Sequence, residues 1–385
     1  MQLVPGNCIT LLTNGAEFFP ALLREIDAAR SDVHFETYIF ADDATGRRIA
    51  DALARAAQRG VDVKLMMDGF GSRELAPALV DHMRAAGVAV LFYRPEISPL
   101  TLRKNRLRRL HRKIVMIDWR VGFVGGINII DDFSEINTGY PRYDYCVKVE
   151  GPLLVEIYHA AHRLWRTVSW MYLRRRSASV TTASAAPPAA GNMLAAFVVR
   201  DNLRHRHDIE DMYLEGIRIA RREIVIACAY FLPGRRLRHA LTEAAQRGVR
   251  VVLLLQGWSD HPLFQLASRA YYESMLDTGI EIYEYTKSEL HAKVAVVDER
   301  WAAVGSSNLD PFSLVLSREA NVVVFDEGLA KKLRASLATA LQEGAKQVPR
   351  MLWKHRALPV RILNWIGYGF ARLAIGVIGV REKWF

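Results

Sequence analysis

One short unit occurs twice in this 385-residue chain, and it limits the fold more than any other feature. The first copy runs His111-Arg-Lys113, four apolar residues, Asp118, then Gly125-Gly126-Ile127-Asn128. The second runs His291-Ala-Lys293, four apolar residues, Asp298, then Gly305-Ser306-Ser307-Asn308. His111 and His291 lie 180 positions apart, and so do Asn128 and Asn308. Five fixed positions repeated at one spacing imply two similar halves, each carrying a copy. The apolar run in each copy reads as a buried strand. Alternate residues of a strand share a face, so His111 points with Lys113 and His291 with Lys293. The small residues at 125–126 and 305–307 let the backbone and Asn128 or Asn308 approach whatever lies over that face.

The surrounding sequence repeats more loosely. Ala52-Leu-Ala-Arg-Ala-Ala-Gln-Arg-Gly-Val61 returns as Ala240-Leu-Thr-Glu-Ala-Ala-Gln-Arg-Gly-Val249, now 188 positions on. Such a long period means two like domains rather than a solenoid. The periodicity predicts helices over 17–29, 44–58, about 75–86 and 153–170. Strands are expected over 33–40, 61–68, 88–93 and 143–149. Alternating strands and helices imply βαβ units and a mainly parallel or mixed α/β sheet flanked by helices. The expected division is 1–176, a Ser/Thr/Ala/Pro-rich linker at 177–192, 193–348, and a tail at 349–385. A shared site would lie where the two halves meet.

Two histidines, two lysines and two asparagines suit a phosphodiester. Lys113, Lys293, Asn128 and Asn308 can hold nonbridging oxygens and stabilise charge in the transition state. A neutral imidazole can attack phosphorus, and a protonated one opposite can give its proton to the leaving alkoxide. His111 is assigned as nucleophile and His291 as acid/base. The lysines already carry positive charge, so no metal and no cofactor are expected. Asp118 and Asp298 each end a strand just before a turn, where a turn-forming or structural ion-pair role competes with direct chemistry. His205-Arg-His207-Asp208 looks like a metal site, but its position before a helix favours capping and solvation.

These units resemble the HKD motifs of the phospholipase D superfamily, and the whole-chain pattern is similar to the bacterial cardiolipin synthases. Besides the two units, the likeness rests on residues 35–40 (Phe-Glu-Thr-Tyr-Ile-Phe), 144–152, 229–234 and 305–311. It covers nearly all of the chain except 177–192 and the part beyond about 350. The resemblance implies two phospholipase D-like domains with the active site at their pseudo-twofold interface. It further implies that an acid from a later strand orients each histidine: Asp144 for His111 and Glu319 for His291. The implied reaction moves a phosphatidyl group from one phosphatidylglycerol to another, with phosphatidylethanolamine as a further candidate, and releases glycerol.

Composition points to an anionic partner, since the net charge is +11. The three cysteines, Cys8, Cys146 and Cys228, lack metal spacing and fit free thiols. Residues 103–113 hold Arg103, Lys104, Arg106, Arg108, Arg109, Arg112 and Lys113 interleaved with leucines, and no acid. That mixture favours an anionic lipid surface. The apolar stretch 358–380 carries Trp365 but is broken by Arg361 and Arg372, whose insertion at a bilayer centre costs about 2.5–3.5 kcal/mol each. An interfacial helix or hairpin is therefore expected before a full span. No secretory signal is expected at the N-terminus. Together these features place the protein on the cytoplasmic face of a bacterial inner membrane, peripheral or monotopic. A nuclease is the rival enzyme and a noncatalytic lipid binder the rival binding protein; nucleic acid is the less favoured partner. Because one chain carries both units, no oligomer is required.

Overall fold

The computed structural model describes residues 1–95, 108–133, 139–171, 187–258, 262–354 and 358–377. The first half runs β1 (Val4–Thr13), α1 (Asn14–Asp27), β2 (Asp32–Thr37), α2 (Ala44–Gln58), β3 (Asp62–Asp68), α3 (Pro77–Ala85) and β4 (Ala89–Tyr93). It continues through β5 (Lys113–Ile117), β6 (Val121–Gly125), β7 (Tyr145–Glu150) and α4 (Leu154–Met171). The second half runs β8 (Met193–Arg200), α5 (Asp208–Ile219), β9 (Glu223–Cys228), α6 (Arg235–Gln246), β10 (Arg250–Gln256), α7 (Pro262–Arg269) and α8 (Tyr272–Asp277). Then come β11 (Glu281–Tyr285), β12 (Lys293–Val297), β13 (Trp301–Gly305), β14 (Glu319–Phe325) and α9 (Glu327–Gly344). The short β15 (Ala345–Gln347), α10 (Arg350–Lys354) and α11 (Leu358–Val377) close the described chain.

The strands join in one 15-stranded sheet, ordered β15-β11-β10-β9-β12-β13-β14-β8-β1-β7-β6-β5-β2-β3-β4. Outward from the β8–β1 junction the order is the same in both directions, apart from the extra β15. The expected α/β class and mixed sheet are present. The expectation of a mainly parallel sheet is not met: only β2–β3, β3–β4, β9–β10 and β10–β11 pair in parallel. Those strands are joined through helices. β5–β6 and β12–β13 are joined by three-residue turns, which allow only antiparallel pairing. Strand β1 was not expected, yet it pairs with β7 on one side and β8 on the other and so joins the halves.

Local chemistry explains the repeated helix. Asp43 caps α2 by accepting from the Gly46 amide at 2.8 Å. Ile49, Leu53 and Ala56 form its buried stripe, as Leu237, Leu241 and Ala244 do on α6. Both helices end in Gln-Arg-Gly, and Gly60 and Gly248 take φ of +91° and +86°, the left-handed stop that glycine adopts without strain. Each half has its own core, around Val33, Phe35 and Leu65 or around Ile224, Ile226 and Leu253. A third core is common to both halves: β7 and β14 supply Val147, Val149, Val322 and Val324, and helices α4 and α9 pack Ile157 and Leu333 there.

Candidate active site

Within each half the parallel strands, β2 and β3 or β9 and β10, bring their carboxyl ends to one rim of the sheet, where open α/β sheets commonly bind ligands. Strands β5 and β12 run antiparallel to their neighbours, so their first residues, Lys113 and Lys293, begin at that rim. Backbone pairing then crosses between the halves. The His111 amide donates to the Arg318 carbonyl at 3.0 Å, and the His291 amide to the Tyr143 carbonyl at 2.9 Å. Each histidine thus lies beside the residue preceding an acid of the opposite half.

That crossing corrects the expected pairing. His111 Nδ1 lies 2.9 and 3.1 Å from the two carboxylate oxygens of Glu319. His291 Nδ1 lies 2.6 Å from Asp144 Oδ2. The expected partners, Asp144 for His111 and Glu319 for His291, are exchanged. The expectation assumed self-sufficient halves; the cross-pairing of 110 with 318 and of 143 with 290 carries each acid across the junction. With Nδ1 engaged, Nε2 of each ring is the nitrogen left for chemistry. Gly126 makes room for Asp144, since a Cβ there would come within 2.3 Å of Oδ1. At the equivalent place Ser306 donates from its hydroxyl to Glu319 at 2.5 Å.

The lysine ammonium groups fold back on the same units. Lys113 Nζ donates to the His111 carbonyl at 2.7 Å, and Lys293 Nζ to that of His291. Asn128 Oδ1 accepts from the Ile39 amide at 3.2 Å and Asn308 Oδ1 from the Tyr230 amide at 3.4 Å, which aims each carboxamide from the loop that follows β2 or β9. Burial lowers the pKa of both histidines and both lysines, Lys113 to about 7. Burial also raises Asp144 to about 7, against the pull of Lys293 and Lys113. His291 feels the charges of Lys293, Lys113 and His111. The two units therefore share one electrostatic field, in which the imidazolium and ammonium groups lose their protons readily.

Asp118 and Asp298, offered as catalytic from the motif, do not reach this site. Each ends its strand roughly 16 Å away along five residues of β5 or β12. Asp118 accepts from the amides of Arg30, Ser31 and Asp32 at 2.8–3.0 Å. Asp298 does the same for Arg221, Arg222 and Glu223 at 2.8 Å. Both sit at φ +53° and fasten the turn between hairpin and neighbouring strand. Their place at a strand end followed by a turn carried that signal.

The basic lip divides. Arg103, Lys104 and Arg106 lie outside the described residues. Arg108 is half-buried. Arg109 is not a lipid-facing cation: it is buried, with Nη1 3.3 Å from Asp68 and 3.3 Å from the Arg94 carbonyl. The buried Asp68 carboxylate draws Arg109 in as an ion pair, and its other oxygen accepts from the Leu110 amide at 2.8 Å, next to His111. In the second half Gln256 holds the Leu290 amide at 3.0 Å in the same way. Trp365 is exposed on α11, which forms one continuous helix rather than a hairpin. That helix packs against α7, with Tyr368 on Tyr271, and leaves Ile362, Leu363, Ile366 and Leu373 exposed. Among the described residues no helix is long and apolar enough to cross a membrane. His205 pairs with Asp208 at 2.7 Å beside α5. Most of the expected linker, 177–186, also lies outside the described residues.

Sequence reasoning counted Arg112 with the basic stretch and missed its buried partner Glu36. Arg112 alternates with His111 and Lys113, so it faces the other side of the sheet, where its guanidinium binds Glu36 at 2.5 and 2.9 Å and the Ala160 carbonyl at 3.0 Å. Burial would raise Glu36, but the Arg112 charge and the His34 hydrogen bond bring it to about 2. The signal was His34 and Glu36 alternating with Val33 and Phe35 along β2, two ionisable groups on one face of a buried strand. Tyr38 was also missed: its ring meets that of His111 edge-on at 4.9 Å and lies 5.4 Å from Lys113 Nζ.

Two duplicated α/β halves meeting over paired His-Lys-Asn sets make this a protein of the phospholipase D kind. The family model described as cardiolipin synthase, PLD-like domain, matches residues 22–163 and again 213–340, and the chain belongs to that family. It is 40% identical over 363 residues to cardiolipin synthase B of Salmonella typhimurium, covering 90% of this chain and 85% of that one. To cardiolipin synthase B of Escherichia coli (strain K12) it is 39% identical, with the same coverage. Its fold is similar to the crystal structure of phosphatidylserine synthase from Haemophilus influenzae, with a TM-score of 0.71 at 13% identity, covering 96% and 95% of the two chains.

Proposed function

We propose that this protein is a cardiolipin synthase that transfers a phosphatidyl group from one phosphatidylglycerol to another. The observation that carries the reading is the crossed pair of imidazoles, each held at Nδ1 by a buried acid of the other half. His111 Nε2 attacks phosphorus as the bond to glycerol breaks, and His291 gives the leaving oxygen its proton. The second lipid's hydroxyl then returns a proton to His291, bonds to phosphorus and frees His111. Lys113, Lys293, Asn128 and Asn308 hold the phosphoryl oxygens; Asp144 and Glu319 orient the rings. Similarity to cardiolipin synthases supports the lipid class. The exposed apolar residues of α11, with Trp365 among them, support a peripheral seat on an anionic membrane, which we assign to the cytoplasmic face of a bacterial inner membrane. We read 1–176 and 193–348 as the two catalytic domains, with 177–192 as linker and 349–385 as the lipid-facing tail.

The test is mass spectrometry of lipids after incubating purified protein with phosphatidylglycerol vesicles, with and without phosphatidylethanolamine. Cardiolipin and free glycerol are expected. Nuclease activity with no lipid product would overturn the reading, as would full synthase activity in His111→Ala or His291→Ala.

A further inference from the structure

The two histidines do not have equivalent neighbours. Thr37 pairs with Lys113 across β2–β5, as the register of Glu36 with Ile114 requires, and Cys228 pairs with Lys293 across β9–β12. The next residues, Tyr38 and Ala229, are therefore equivalents. The following pair confirms the alignment, because the amides of Ile39 and Tyr230 each donate to the asparagine of their own unit. Tyr38 puts an aromatic ring against His111. Beside His291 the same position carries only a methyl group.

A cavity of about 20 Å³ opens against Ala229, room for one water-sized group. Phe231 and Leu255 give it an apolar wall, Tyr230, Gln256, Gln265, Ser268 and Tyr272 bring amides and hydroxyls to it, and no carboxylate is among its lining residues. The cavity is coupled to His291 through the backbone. The Ala229 amide donates to the Ala292 carbonyl at 3.0 Å, and Gln256 holds the Leu290 amide. Gln265 is itself anchored, donating to the Gly257 carbonyl at 2.6 Å, so its carbonyl oxygen is held in place.

Given the proposed function, on which this rests, we propose that the headgroup alcohol, leaving or arriving, is seated on the Ala229 side of the site beside His291, with a hydroxyl of that alcohol in the adjoining cavity. Tyr38 closes the matching space at His111. Phosphorus is then attacked from the walled side while the alcohol departs on the open one. In the first step the His111 nitrogen–phosphorus bond forms, the bond from phosphorus to the headgroup oxygen breaks, and that oxygen takes the proton of His291. The second step is the reverse, with the acceptor's hydroxyl supplying the proton. The lining suits a single neutral hydroxyl held between amides and an apolar wall. An ammonium headgroup would find no counter-charge in it.

The experiment compares phosphatidylglycerol with phosphatidylmethanol, whose headgroup is too small to reach the cavity, as donors in vesicles otherwise made of phosphatidylcholine. The readout is the ratio of kcat/KM for the two lipids. Ala229→Leu, and more mildly Ala229→Val, should lower the ratio of phosphatidylglycerol over phosphatidylmethanol at least 10-fold and about 3-fold. Gln265→Leu should lower it in the same direction. Tyr38→Ala should slow both lipids by a common factor and leave the ratio where it was. Equal losses on both lipids in the Ala229 variants would overturn the inference, because a merely structural defect spares no substrate. A ratio that moves with Tyr38→Ala but not with Ala229→Leu would overturn it too. Turnover of neither lipid by the unaltered protein would instead overturn the proposed function, and this inference with it.

Discussion

The same strands are furnished differently in the two halves. On the face of β2, β3 and β5 that α4 covers, the first half buries His34, Glu36, Lys64 and Arg112. The equivalent positions in the second half are Val225, Ala227, Val252 and Ala292, an apolar surface in the common core beneath α9. Both surfaces support a strand that starts with the same His-x-Lys unit. The fold therefore does not need charge there; it needs either complete pairing or none. A buried ion pair contributes little over a well-packed apolar surface, whereas half of one is costly. His162, stacked on Tyr158 at 3.7 Å, belongs to the charged version, and burial lowers its pKa to about 3. It joins the network as a neutral ring.

The halves are more alike nearer the reaction, and the largest expected effects lie there. His111→Ala and His291→Ala should each lower transfer about 10⁴-fold or more. A phosphatidyl ester of p-nitrophenol, whose leaving group needs no proton, separates the two roles. Intact-protein mass spectrometry should find the covalent adduct in His291→Ala and none in His111→Ala. Next come the crossed acids. Asp144→Asn and Glu319→Gln should cost about 10²–10⁴-fold. In NMR titration Asp144→Asn should perturb His291 more than His111, and Glu319→Gln the reverse. A perturbation confined to the histidine of the same half would contradict the crossing.

The pH profile probes the cations. Lys113 has its folded pKa lowered to about 7, so its charge is present below that value and lost above it. His111, lowered by burial, must be neutral to attack. Plotted against pH, kcat/KM should rise as His111 deprotonates and fall as the acid His291 and then Lys113 lose their protons. Lys113→Gln should lower it about 10²–10³-fold and remove the Lys113 part of the alkaline limb. A wild-type profile still climbing at pH 9 would count against this assignment.

Smaller effects test the buried contrast. Glu36→Ala should destabilise the protein by about 3–5 kcal/mol by stranding Arg112. The double variant Glu36→Ala/Arg112→Ala, which copies the second half, should recover much of that loss in thermal unfolding. Smallest in activity is Asp118→Ala. Removing an acceptor for three backbone amides should cost about 1–3 kcal/mol of stability while kcat stays within about 2-fold.

Much of this was legible in the sequence because a repeat constrains two places at once. The α2 helix could be read at Ala44–Gln58, since its stripe, its Asp43 cap and its Gly60 stop agree. The His-x-Lys strands could be read from their apolar runs. What was not legible depends on contacts between distant segments. Nothing near Asp144 says which histidine it will meet, because that follows from the pairing of Tyr143 with Leu290. Arg109 resembled the other basic residues of its stretch until Asp68 was placed beneath it. Strand β1, with Gly6 and Asn7 in its middle, lacks a strand's alternation and is held by its two neighbours.

The exchange of acids between the halves has a consequence for how such a chain can be divided. A lone half carries an imidazole with no carboxylate of its own behind it. Two separately produced pieces cut between 177 and 186 should therefore be inert apart and regain turnover on mixing, each lending the other its missing acid.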